Sequence, residues 1–219
     1  SQTIFDNKLN IGVNAGLQRD NLDDSKASAM KRLVSSINLN YTPTERLGIN
    51  GSFSNFQSYT NIRDQFDYIN QTNELDNLDT LNYRQISKNA NLGINYTIKQ
   101  TETRNDRAHI NLVYQDSNEE QEGKSIENSG NQFYNGSASY ALGYPQQSLT
   151  ITVAANTSYT KTGETDTDLT LGPTLGVAKQ FFDKKLRTNF SASYNTSFAN
   201  GERQNQFYNL RLGGNYAWK

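Results

Sequence analysis

Asn89-Ala90-Asn91-Leu92-Gly93-Ile94-Asn95-Tyr96 alternates small polar residues with apolar ones at every step. A period of two is the signature of a β-strand with one apolar face and one polar face. The same pattern recurs along the whole chain. Leu9, Ile11, Val13, Ala15 and Leu17 are interleaved with Asn10, Gly12, Asn14 and Gly16. Further segments of this kind run over 33–41, 47–54, 108–114, 134–144, 149–156, 169–177, 186–198 and 208–218. With the opening stretch they predict ten strands of about 10–14 residues each, against about 5–6 in an ordinary globular sheet. Pro173 falls inside one of them and lacks a ladder donor, so a bulge or gap is expected there.

The composition explains why the alternation matters. The chain has 219 residues, long enough for one or two domains. Only 34% of it is hydrophobic, where soluble domains carry roughly 45–50% apolar residues. A mean hydropathy of −0.82 would by itself suggest disorder. Disordered chains, however, are poor in aromatics, and this one has Tyr 13 and Phe 10 with Pro only 3. Even spacing of few apolar residues gives each strand a continuous stripe.

Several function classes drop out. Lys+Arg 21 against Asp+Glu 22 leaves a net charge of −1, so there is no basic footprint for nucleic acid. Cysteine is absent, which removes disulfides, thiolate metal sites and Cys catalysis. A single His cannot form a His-based metal cluster. No apolar run approaches the ~18 residues of a transmembrane helix, and the opening residues carry no signal-peptide pattern, as a mature or truncated chain would not.

Charge placement points to the solvent of the strands. Stretches 9–17, 33–44, 47–62, 89–98, 128–160, 169–178 and 188–201 hold no Asp, Glu, Lys or Arg. A soluble sheet would gain by placing Lys or Glu on its wet face. A charge facing lipid at mid-depth of a membrane barrel costs roughly 2–4 kcal/mol, and clearing charge from strand centres answers that cost. A tilted strand needs about 9–11 residues to cross a bilayer. Charge gathers instead at 20–26, 63–79, 119–127 and 161–168.

Connection lengths add to this. Segments 42–45, 145–147 and 182–185 read as short turns, 97–107 as a medium one, and 19–30, 57–82, 115–131, 160–167 and 199–204 as longer polar loops. Short turns at one end and long loops at the other are the habit of outer-membrane barrels, with short turns in the periplasm. Aromatics gather near strand ends: Tyr41, Phe53, Phe56, Tyr59, Tyr96, Tyr114, Tyr144, Tyr159, Phe181, Phe198, Tyr216 and Trp218. Among them Tyr41, Tyr96, Tyr144, Phe181, Tyr216 and Trp218 are the expected interfacial residues, since amphipathic rings favour the boundary of hydrocarbon and water. The alternative is cross-strand pairing in a soluble sheet.

The fold class expected is therefore all-β, an antiparallel up-and-down transmembrane β-barrel, with 1–219 as a single barrel domain. Its lumen would be lined by Asn10, Asn14, Asn38, Asn50, Asn91, His109, Asn111, Asn156, Asn189 and Arg211. No ring of charge appears there, as a charge-selective pore would carry.

The chain ends carry two further signals. Arg211, Gly213, Tyr216 and Trp218 have the spacing of a polar residue, a Gly two on, then aromatics three and five beyond that Gly. This resembles the terminal β-signal of bacterial outer-membrane barrels, although that family usually ends on its last aromatic and here Lys219 follows. The resemblance implies recognition by the barrel assembly machinery during insertion. It also implies residence in a Gram-negative outer membrane among lipid and lipopolysaccharide, with other envelope-complex subunits as further partners. At the other end Phe5-Asp6-Asn7-Lys8-Leu9 echoes the turn Phe182-Asp183-Lys184-Lys185-Leu186. That echo suggests the C-terminal ten strands of a larger barrel. The rival reading is a complete ten-stranded barrel with a short lead-in. The Asn- and Tyr-rich style of the whole chain resembles barrels of Bacteroidota.

Three functions compete at this point. The first is a non-enzymatic, porin-like pore or a structural subunit of an outer-membrane complex, with no cofactor and no metal. The second is a barrel enzyme acting on lipid or peptide. Barrel enzymes generally rely on His with Ser or Asp, so this reading requires His109, whose loss would abolish activity. The carboxylate pairs Asp23/Asp24 and Glu119/Glu120 read as loop charge. The acidic residues Asp20, Asp23, Asp24 and 76–79 could bind Ca²⁺ but follow no EF-hand pattern. The third is a soluble adhesin-like β-protein. A solenoid would show a regular repeat, which the uneven loop lengths do not.

Overall fold

The computed structural model describes residues 2–4, 8–20, 28–62, 81–127 and 129–218. The strands are β1 (Gln2–Ile4), β2 (Leu9–Arg19), β3 (Ser28–Thr44), β4 (Leu47–Ile62), β5 (Leu81–Gln100) and β6 (Asn105–Gln121). They continue with β7 (Lys124–Ser125), β8 (Asn131–Tyr144), β9 (Leu149–Thr162), β10 (Asp166–Phe181), β11 (Leu186–Ala199) and β12 (Glu202–Tyr216). All belong to one antiparallel up-and-down sheet in which each long strand pairs with the next. The all-β class and the ten long strands are as the alternation predicts; β1 and β7 are short additions at the edge and at one hairpin.

Closure into a cylinder does not occur among the described residues. The sheet begins at β1 and ends at β12, and these two do not pair. Hence β12 offers an unpaired ladder edge.

The strands run beyond the apolar pattern. β5 begins at Leu81 and β6 continues to Gln121, into segments expected to be loop. Once both faces are polar the period-two signal vanishes, while the backbone ladder can continue. For the same reason the loops expected at 160–167 and 199–204 are tight turns at 163–165 and 200–201. Gly163 (φ 61), Asn200 (φ 51) and Gly201 (φ 82) supply the left-handed conformations those turns need. The medium connection shrinks to 101–104, closed by the Thr101 amide donating to the Arg104 carbonyl at 2.8 Å.

The expected irregularity at Pro173 is a gap. β10 and β11 pair at Leu171↔Thr196 and resume at Thr174↔Ser193 with the register kept. Pro173 has no N–H to give, and the chains close up beside it at Gly172. A Cβ on Gly172 would run into the Tyr194 carbonyl and lie 2.8 Å from the Asn195 Cα.

Among its described residues the sheet has no hydrophobic core. Among the described residues no apolar side chain is buried; the buried polar ones are Asp106 and Thr196.

Candidate functional surfaces

Register decides which side chains share a face. Val13 pairs with Ile37, Ile37 with Phe53, Phe53 with Ala90 and Ala90 with Tyr114. Tyr114 pairs with Tyr134, Tyr134 with Tyr159, Tyr159 with Leu169 and Leu169 with Phe198. One face is thus apolar across the entire sheet. Many of its members are open to the surroundings, among them Leu17 at 77%, Val153 at 52% and Leu212 at 81%.

The six expected interfacial aromatics all lie on this face and at the same end, where the turns 45–46, 101–104, 145–148 and 182–185 sit. A second aromatic line crosses higher up. The rings of Tyr114 and Tyr134 are 4.9 Å apart, those of Tyr134 and Tyr159 6.0 Å, and those of Tyr194 and Tyr208 4.9 Å. Phe56 breaks the expectation, because its partners Val34 and Ser87 place it on the other face.

These two lines give the sheet a geometry relative to a plane. The register row of Tyr41, carried across the Pro173 gap by the kept register, leads to Tyr208, whereas the lower aromatic on β12 is Tyr216, about eight residues further along. Eight residues at about 3.3 Å, over eight strand spacings of about 4.8 Å, corresponds to a strand tilt of about 35°. That is the tilt of transmembrane barrels, about 35–45°. The ten residues from Tyr134 to Tyr144 then span about 27 Å of height, and the eight from Tyr208 to Tyr216 about 22 Å. The apolar band of such barrels is about 25 Å tall.

The other face is small and polar. Asn10, Asn14, Asn38, Asn50, Asn91, His109, Asn111, Asn156, Asn189 and Arg211 all fall on it by register. Its side chains bond sideways across strands: Asn14 Nδ2 donates to Ser36 Oγ at 3.4 Å, Asn91 Nδ2 to Asn111 Oδ1 at 3.1 Å and Asn156 Nδ2 to Thr174 Oγ1 at 3.3 Å. His109 Nδ1 lies 2.7 Å from Asn95 Oδ1. Glycines make room for these carboxamides: a Cβ on Gly93 would meet Asn50 Oδ1 at 2.6 Å. Gly213 has the same relation to Asn189. This gives the Gly of the terminal motif a packing reason of its own. Within that motif Arg211 and Gly213 lie on the polar face and Tyr216 and Trp218 on the apolar one, their rings 5.4 Å apart and edge-on.

Sequence reading could not see two pairings on the apolar face. Lys88 Nζ lies 3.4 Å from Asp116 Oδ2, directly across β5 and β6 and one row beyond the upper aromatic line. At the opposite end Asp106, only 3% exposed, takes Arg104 Nε at 2.8 Å, and the Tyr140 hydroxyl donates to it at 3.1 Å. The Asp106 carboxylate, with the Tyr140 oxygen second, holds the Arg104 guanidinium charged to above its ordinary range. Both pairs mark the edges of the band, where a charge needs a partner. Parity within each strand hints at them; the register that joins them is invisible in one sequence.

The candidate carboxylate pair separates. Glu119 opposes Gln85 on the polar face, while Glu120 takes Arg84 at 3.2 Å on the apolar face. Consecutive strand residues point to opposite sides and cannot share a proton. Among the described residues no group of three or more His, Cys, Asp or Glu is placed to hold a metal. Asp20 Oδ1 accepts from the Met30 amide at 2.7 Å, a hairpin contact. Asp23, Asp24, residues 76–79 and the Phe5-Asp6-Asn7 echo lie outside the described residues.

The class that fold and surfaces define is an antiparallel up-and-down β-meander with one exposed apolar face and one polar face. No family model matches the chain, and no curated protein does. Among solved structures, CdiB from Acinetobacter baumannii is similar at 11% identity and a TM-score of 0.37, over 86% of this chain and 32% of that one. The chain thus spans about a third of the length of that structure.

Proposed function

We propose that this chain forms wall of an outer-membrane β-barrel, apolar face to lipid and polar face to the interior, and that it acts without enzymatic chemistry as a porin-like pore wall. The observation that carries the proposal is the missing core. Burial of apolar surface is the dominant favourable term in folding in water, and here an entire apolar face is left uncovered. A bilayer covers that face. It also removes the competition of water for the ladder hydrogen bonds, which is why closed barrels are a spanning structure. The interior would be the neutral Asn, Ser, Thr and Gly face, so little charge selectivity is expected. Closure requires a partner for the β12 edge.

Three measurements test this. The protein should require detergent to stay in solution, and unheated gel samples should migrate differently from boiled ones. In planar bilayers it should give conductance with weak preference between K⁺ and Cl⁻, and His109→Ala should leave that conductance unchanged. A protein monodisperse in plain buffer contradicts the membrane reading. Silence in bilayers together with stable co-purifying subunits contradicts the pore and favours the structural-subunit role.

A further inference from the structure

Phe182, Asp183 and Lys184 all stand in the left-handed region, at φ 53, 52 and 71. None is glycine, and L-residues rarely enter this region because of the clash it brings. Residues held this way cluster at binding and switch sites. Here the turn carries Lys184 to the rim of a hollow of about 400 Å³, within the range of small-molecule pockets, about 300–1,000 Å³. Asn105, Arg107, Ala141, Gly143, Thr150 and Gln180 line the hollow and share the polar face by register. Ala141 and Gly143 are the small residues that leave the space open. The charged groups lining it, Arg107 and Lys184, are both cations. Gln180 and Thr150 add neutral donors, and Arg187, the register partner of Gln180, stands beside it on the same face. Asn105 Oδ1 accepts from Arg107 Nε at 3.2 Å, which orients the guanidinium. Among the described residues no carboxylate pairs with Arg107, Lys184 or Arg187.

The acids of this end are placed elsewhere. Asp106 lies on the apolar face, held by Arg104 and the Tyr140 hydroxyl, with Lys99 opposite it. Glu45, Glu102 and Asp183 belong to turns and do not line the hollow. Glu119 and Asp168 share the polar face, but stand twelve residues further along β6 and β10 than Arg107 and Gln180, about 40 Å away. That is several Debye lengths of about 8 Å at physiological ionic strength, so they do not neutralise the cations. We propose that this hollow binds a compact, multiply charged phosphate or phosphorylated solute through its phosphate oxygens. Phosphate brings several strong acceptors in one group, and the guanidinium fork meets two of them at once. A monovalent anion engages fewer of these donors. The proposal rests on the pore reading only for its setting: there the hollow stands at the turn-end mouth of the interior and raises the local concentration of anionic solutes.

The test is calorimetric titration of pyrophosphate into the detergent-solubilised chain. The parent should bind saturably at submillimolar concentration, and acetate at equal concentration should not compete. Arg107→Gln should bind about tenfold more weakly. Lys184→Gly should bind about threefold more weakly and, by freeing a left-handed position from its side chain, should unfold no more easily than the parent. A loss of binding there is then not a loss of fold. Arg211→Gln is the control. Arg211 lies on the register row of Arg107 but five strands away, about 24 Å along the sheet, and its replacement should leave binding unchanged. Absence of saturable binding, competition by acetate, equal loss in Arg211→Gln, or parent-like binding by both Arg107→Gln and Lys184→Gly would each overturn the proposal. A chain silent in bilayers that binds pyrophosphate in the expected pattern keeps this site and loses the pore; a conducting chain that ignores pyrophosphate does the reverse.

Discussion

Val153→Arg is expected to cost about 2–4 kcal/mol of folding stability in phospholipid vesicles, a drop of roughly 30- to 1000-fold in the folding equilibrium. Val153 sits between Tyr140 and Leu175 on the apolar face, about midway between the two aromatic lines, and is 52% exposed. In a water-soluble protein a substitution at so open a position usually changes stability by less than about 0.5 kcal/mol. The size of the loss therefore reports what surrounds the side chain. Asn156→Arg, three residues along on the polar face, removes only the bond to Thr174 and should cost about 1 kcal/mol. Urea titrations of both variants in the same vesicles give the comparison directly. Equal, small effects would mean that the apolar face meets water.

Gly172→Ala should destabilise by about 1–3 kcal/mol, the usual penalty of overpacking. The methyl would enter the space held by the Tyr194 carbonyl and the Asn195 side chain, and backbone has to move to admit it. This is also where the β10–β11 ladder is already interrupted, so the shift would fall on the weakest seam of the sheet. Gly176→Ala is the control. Its nearest neighbours would stand at 3.8–4.0 Å from the new methyl, ordinary contact, and Ala is the better strand residue by about 0.5–1 kcal/mol. Opposite signs for two glycines four residues apart, measured by the same titration, are the expected result. A Gly172→Ala protein as stable as the parent would show that the strands do not approach closely there.

Much of this architecture is legible in the sequence because a strand with one apolar and one polar face must alternate along its full length. The pattern at 89–96 predicts both the strand and its two faces, and Pro173 predicts the interruption beside it. What one sequence withholds is register. A period of two is satisfied by every second alignment of neighbouring strands, so neither the Lys88–Asp116 pair nor the row joining Tyr114, Tyr134 and Tyr159 can be read from spacing. The stagger of the aromatic lines, and with it the tilt, follows only once the register is known. Turn lengths fail for a different reason. Beyond the apolar stripe both faces carry polar residues, so those of β6 past Asp116 keep their ladder while losing their alternation. Phe56 shows the limit of position alone: the ring lies near a strand end, yet its parity sets it on the polar face.

The chain contains no cysteine, so single cysteines can be placed at each position from 149 to 159 on β9 and spin-labelled in bilayers. Collision with oxygen, which concentrates in hydrocarbon, is compared at each site with collision with a water-soluble nickel complex. The account predicts a strict alternation, odd positions favouring oxygen with a maximum near Val153, and even positions not. Odd positions shielded from both reagents, or both parities open to nickel, would contradict it.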